Sequence, residues 1–225
     1  MAEFNISRKE ITFKLVYYGP ALSGKTTNLQ VIHKAASSRS RGELMKLDTE
    51  GDRTLFFDLL PMEIGTGAGF KVKLKLFTVP GQVQHNTTRR AVLKGTDAVA
   101  FIADSQKELE KENASSYLNL KENLKELGMS LEDMPFAIQF NKRDLPNAVP
   151  SELIQKTWGQ TGIPVFMASA IEGKGVIPTL DALVRRLFQS LEARYEFSRK
   201  YGLTEEEFMS AVRSNFRRPS GEVTK

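Results

Sequence analysis

The hydrophobic pattern alternates between two periods along the chain. Strand-like runs occur at 11–18 (ITFKLVYY), 54–60 (TLFFDLL), 70–79 (FKVKLKLFTV), 97–103 (DAVAFIA), 135–140 (PFAIQF) and 163–168 (IPVFMA). Helix-like stretches separate them: about Lys25 to Ala36, a charged amphipathic stretch at 108–127, and a long helix from near Val176. In the last, Leu180, Leu183, Val184, Leu187 and Leu191 recur at helical spacing. Alternating strands and helices predict an α/β fold, with six strands in a mostly parallel sheet and helices on both faces. The 70–79 run has period two, with Phe70, Val72, Leu74 and Leu76 on one face and Lys71, Lys73 and Lys75 on the other. The link from Glu63 to Gly69 holds three glycines and is short enough for a hairpin, so its two flanking strands are expected to be antiparallel.

A division near residue 195 is expected, with a domain over 1–195 and a helical extension over 196–225. Gly202 reads as a helix stop. Thr204 followed by Glu207 fits a capping box, and Phe208, Met209, Val212 and Phe216 form an apolar stripe behind it. That stripe has two readings: it docks on the domain's own surface, or it serves as a partner-binding or autoinhibitory helix.

Composition narrows the function classes. The 225 residues are 40% hydrophobic and 26% charged, which excludes a wholly disordered chain or a fibre. With no cysteine, disulfides, thiolate metal sites, thiol catalysis and cysteine-linked lipids are excluded. The net charge of +5 is spread along the chain and reads as mixed surface, so no nucleic-acid partner is expected. The start of the chain has no apolar signal core, Ala2 is not an acceptor glycine, and no run approaches the length of a membrane span. A cytoplasmic protein without a direct membrane anchor, monomeric alone, is the expectation. His33 and His85 are not read as a metal pair.

Three motifs carry chemistry. Gly19-Pro20-Ala21-Leu22-Ser23-Gly24-Lys25-Thr26 matches the phosphate-binding loop G-x-x-x-x-G-K-[ST], and Thr27 follows it. Its glycines let consecutive backbone N–H groups curl round a phosphate, and the next helix aims its positive end at the same anion. Lys25 would supply charge to the β- and γ-phosphates, and the Thr26 hydroxyl a ligand to Mg²⁺. Asn141-Lys142-Arg143-Asp144 follows a strand. The Asp144 carboxylate can accept both donors of a guanine edge, a pair adenine lacks, while the Lys142 stem can lie along the base. Ser169-Ala170-Ile171 ends the last strand, where a backbone N–H could meet the guanine O6. Pro80-Gly81-Gln82 follows the third strand. Gly81 can turn its peptide toward a γ-phosphate, and Gln82 can orient the attacking water.

In this order on alternating strands and helices, these motifs resemble the Ras-like small GTPases and their three-layer P-loop fold. The runs Val16 to Pro20, Leu22 to Leu29, Arg53 to Asp58, Thr78 to Val83 and Asn141 to Pro146 resemble more closely the bacterial MglA family of polarity and gliding-motility GTPases. The resemblance implies a GTP/GDP- and Mg²⁺-dependent switch that hydrolyses GTP slowly. Arg53 would be an intrinsic arginine finger, a surface arginine paired with Asp52 or Glu50 being the alternative, and Thr54 a switch ligand to Mg²⁺. It also implies a homodimeric roadblock-type partner, MglB, and polarity adaptors that place the protein at a cell pole. Two other readings stand beside it: a nucleotide-locked scaffold without useful turnover, and an Arf-like trafficking GTPase. One departure from the Ras-like pattern is Thr78, where an Asp normally holds a Mg²⁺-bound water, so weak Mg²⁺ affinity is expected. Asp58 could substitute, but pairing with Lys73 or Lys75 is the favoured reading for it.

Overall fold

The computed structural model describes residues 3–47, 57–82 and 85–216. Eight strands form its sheet: β1 (Glu3–Asn5), β2 (Glu10–Tyr18), β3 (Met45–Leu47), β4 (Phe57–Gly65), β5 (Lys71–Thr78), β6 (Ala98–Asp104), β7 (Phe136–Asn141) and β8 (Val165–Met167). Their order is β3-β4-β5-β2-β6-β7-β8, with β1 paired to β2 off this path. The block β5-β2-β6-β7-β8 is parallel, whereas β1, β3 and β4 pair antiparallel. Two strands exceed the six expected. Both β1 and β3 are three residues long, too short to show a period.

The expected hairpin joins β4 to β5, with Ile64 opposite Val72 and Gly65 opposite Lys71. The described part of β4 continues to Gly65 instead of ending at residue 60, because Leu60, Met62 and Ile64 keep the inward alternation going. Arg53 and Thr54, expected as arginine finger and Mg²⁺ ligand, lie outside the described residues.

Seven helices cover the sheet among the described residues: α1 (Lys25–Ala35), α2 (Asn86–Leu93), α3 (Glu110–Glu126), α4 (Ser151–Trp158), α5 (Val176–Tyr195), α6 (Phe197–Tyr201) and α7 (Glu205–Ser214). Strand β2 shows how two cores arise from one period. Phe13, Leu15 and Tyr17 point to a core shared with α1, α5 and α7, whereas Val16 and Tyr18 point to one shared with α2 and α3. On the second face, Tyr117 of α3 meets Trp158 at the end of α4 edge-on, with ring centroids 5.6 Å apart.

The helix α7 opens with the expected capping box of Thr204 and Glu207. Its stripe is buried in the protein's own core: Phe208 lies 5.0 Å from the Phe188 ring and 6.4 Å from that of Phe13. Arg213 grips Asp181 of α5 with two bonds of 2.6 and 2.7 Å. Beyond α7, the Asn215 carbonyl accepts from the Ser37 N–H at 2.7 Å, which ties this end of the chain to the exit of α1. Among the described residues, no helix is long and apolar enough to cross a membrane.

Candidate functional site

Parallel strands deliver their following loops to one edge of the sheet, and the chain reverses its direction of winding at β2, where such folds open a crevice. A cleft of about 610 Å³ lies there. Gly24 lines it from the first loop, Lys25, Thr26 and Thr27 from the first turn of α1, Asp58 from β4, Thr78 from the end of β5, and Val79, Pro80 and Gly81 from the loop that follows.

The first loop turns sharply into α1. Gly24 has φ +94, and a Cβ there would stand 2.2 Å from the Asn141 amide nitrogen, so only glycine fits. No side chain caps α1, and its first turn carries no acid, which leaves the positive end of the helix turned to the cleft. Ser23 is fully buried and Leu22 is exposed. The Lys25 ammonium donates to the Gly19 and Pro20 carbonyls at 3.0 and 2.6 Å. Burial, with the Arg89 guanidinium adding repulsion, lowers its pKa to about 7 against a smaller opposing pull from Asp58.

Asp58 corrects an expectation. It does not pair with Lys73 or Lys75: Lys73 bridges to Glu10 at 3.0 Å, and the lysines of β5 face away from the buried side of β4 that carries Asp58. Its Oδ2 instead accepts from the Thr26 hydroxyl at 2.6 Å and from the Thr78 hydroxyl at 3.0 Å. The Thr78 hydroxyl oxygen in turn accepts from the Asp58 N–H at 2.8 Å. A carboxylate therefore stands beside Thr26, although it comes from a strand neighbouring the expected one.

The loop after β7 is tied to the phosphate loop. The Asn141 amide donates to the Ser23 carbonyl and accepts from the Ala170 N–H, both at 2.8 Å. Ser169 donates to the Asp144 carboxylate at 2.7 Å. Lys142, at φ +66, pairs with the buried Asp104 at 2.6 Å, while Ile171 stays exposed. The structure thus gathers the first loop, the loop after β7 and residues 169–171 on one edge.

Gln82 is placed differently. It is exposed and lines a second groove, between the Pro80–Gln82 loop and α3, which Gly81, Pro20 and Ala21 also border. The prominent residue of that groove is Arg89, buried to 2%. The sequence motifs do not include it. Its signal was present, because Arg89, Val92 and Leu93 share one helical face.

Comparison with known proteins agrees with this geometry. Residues 3–187 match the model of the ADP-ribosylation factor family. The chain is 47% identical over 192 residues to the mutual gliding-motility protein MglA of Myxococcus xanthus (strain DK1622), an alignment spanning 85% of this chain and 98% of that protein. It is also 26% identical over 191 residues to elongation factor 4 of Desulfitobacterium hafniense (strain DSM 10664 / DCB-2), over 83% of this chain but 28% of that one. A loop with the phosphate-binding motif at the sheet's reversal point, the Asn141–Asp144 loop tied to it, and these likenesses have one common account: the chain belongs to the ADP-ribosylation factor family of GTP-binding, GTP-hydrolysing P-loop proteins, with MglA as a relative.

Proposed function

We propose that the cleft binds GTP with Mg²⁺ and hydrolyses it slowly, and that the exchange of GTP for GDP switches partner binding in the control of cell polarity and motility. One observation carries this reading: a single hydrogen bond, Asn141 to Ser23, joins the base-reading loop to the phosphate-binding loop. A guanine nucleotide would lie across that junction. Asp144 and the Lys142 stem would hold the base, with Ser169, Ala170 and Ile171 beside O6. Gly19 to Thr27 would wrap the phosphates, with Lys25 at the β- and γ-oxygens. Gly81 would offer its N–H to the γ-phosphate, Gln82 would orient the attacking water, and Arg53 would neutralise charge in the transition state, a role worth about three to five decades in rate.

The donor set suits a hard divalent cation. Two hydroxyls and one carboxylate meet within hydrogen-bond distance at Thr26, Asp58 and Thr78, and Mg²⁺ is typically held by one or two carboxylates together with substrate phosphates. Thr26 and Thr54 would ligate it, and Asp58 would take the place of the Asp that Thr78 replaces. When bound, Mg²⁺ supplies charge compensation between the β- and γ-phosphates.

The lack of cysteine leaves no thiol for lipid attachment. On this reading the protein is cytoplasmic, monomeric alone, and brought to a cell pole by contacts with a roadblock-type MglB homodimer and polarity adaptors. Residues 196–225 would form a helical extension of the 1–195 domain.

Single-turnover hydrolysis of GTP, with and without such a roadblock partner, tests the proposal. Wild type should turn over, and Arg53→Ala should lose at least about a hundredfold in rate. Binding without hydrolysis under both conditions would leave a nucleotide-locked scaffold, and adenine in the co-purified nucleotide would overturn the base assignment.

A further inference from the structure

Arg89 carries a full guanidinium at 2% exposure. Among the described residues no carboxylate forms an ion pair with it. Its Nε donates to the Pro80 carbonyl at 2.9 Å and its Nη2 to the Gly81 carbonyl at 2.6 Å. Its Nη1 donates to Asn119 Oδ1 of α3 at 2.7 Å, and its guanidinium lies 5.6 Å from the Tyr18 ring centroid. A buried cation left without an acid costs stability unless every donor is placed well. Here two of its three arms are committed to consecutive peptides of one loop, which is an arrangement for fixing that loop.

The orientation follows from the peptide itself. Peptide units are planar and trans, so the N–H of Gly81 points opposite to the Pro80 carbonyl on the same unit. With that carbonyl held by Arg89, the Gly81 N–H is directed away from the guanidinium. The other side of this loop lines the cleft with Lys25 and Thr26. The loop cannot slide to a new seat without leaving Ala21, against which Gly81 packs so closely that a Cβ would stand 2.3 Å from the Ala21 Cα. Arg89 is itself anchored from behind. Asn119 accepts from the Tyr18 hydroxyl at 2.6 Å and donates to Asn86 at 3.0 Å, linking β2, α2 and α3.

We infer that Arg89 is a positioning residue for GTP hydrolysis: it clamps the Pro80–Gly81 peptide so that the Gly81 N–H faces the γ-phosphate position. This rests on the reading of the cleft given above. It applies to GTP and not to GDP, which has no phosphate there. It also requires a guanidinium, since lysine is a point donor and cannot span two consecutive carbonyls with a planar fork.

The test uses the full chain with Arg89→Lys and Arg89→Ala, their melting temperatures serving as a check on folding. Arg89→Lys should slow single-turnover hydrolysis about tenfold or more, in line with the loss of a preorganised donor. Affinity for a non-hydrolysable GTP analogue should fall several-fold, while GDP affinity stays at the wild-type value. Guanidinium ion at millimolar concentration should restore part of the rate of Arg89→Ala, and methylammonium should not. Hydrolysis by Arg89→Lys within twofold of wild type, or equal losses for GDP and the GTP analogue, would overturn the inference. A wild-type chain that does not hydrolyse GTP overturns the hydrolytic reading instead, and the split between GDP and the GTP analogue still decides on Arg89.

Discussion

Asp58 stands on a strand that faces a lysine-rich neighbour, yet its carboxylate goes to two threonines. Alternation explains this. Asp58, Leu60 and Met62 share the buried side of β4, and Thr78 shares the buried side of β5, while Lys71, Lys73 and Lys75 take the other side. At the strand end this buried side opens into the cleft, so the same period that builds the core delivers an acid to Thr26. Asp58→Asn keeps the shape and removes the charge. We expect the Mg²⁺ concentration that half-maximally slows GDP release to rise about tenfold or more, the usual effect of removing a residue that supports a metal ligand. Mg²⁺ titration of the release rate checks this, and an unchanged midpoint would count against a role for Asp58 at the metal. Lys25 gives a second prediction. Its folded pKa is lowered to about 7, so below that pH the buried ammonium stays charged in the free protein and carries its full desolvation penalty, which is relieved as pH rises from about 7 toward the unfolded value of about 10.4. A polyphosphate beside the ammonium restores its protonation. Nucleotide binding near pH 8.5 should therefore take up as much as about one proton, falling toward zero near pH 6. Calorimetry in buffers of different ionisation enthalpy measures this uptake, and a flat pH profile would refute it.

Among the elements, α7 carries the clearest energetic contrast. Its capping box satisfies backbone groups at an exposed helix start, whereas its stripe fills the gap between β2 and α5. Thr204→Ala should cost about 1 kcal/mol. Phe208→Ala removes a fully buried ring and should cost about 3–5 kcal/mol. Urea unfolding midpoints of the two variants give the comparison, and similar losses would mean that the stripe is not integral to the core. The capping box was legible because Thr204 and Glu207 carry their geometry in their spacing. The destination of the stripe was not, since periodicity shows that a face is apolar without showing what it meets.

For the molecule as a whole, what could be read depended on the range of the interaction. The alternation of β2, β5 and α5, the glycine hairpin between β4 and β5, and the phosphate loop are short-range patterns, and the structure has them where the spacing put them. Register and loop-to-loop contacts are long-range. They decided that Asp58 meets Thr26, that Asn141 reaches back to Ser23, and that one arginine of the pair at 89 and 90 is buried while Arg90 lies near the surface beside Glu126. The short strands β1 and β3 escaped for the opposite reason: three residues hold too little pattern to read.

The edge-on contact between Tyr117 and Trp158 has one more consequence. Trp158 is the chain's single tryptophan, and it rests on α3, the helix whose Asn119 anchors Arg89. Indole emission responds to the packing and polarity around the ring. The protein thus carries a native optical probe on the far side of α3 from the Pro80–Gln82 loop, and any shift of that helix during the nucleotide cycle becomes visible in its emission without a label.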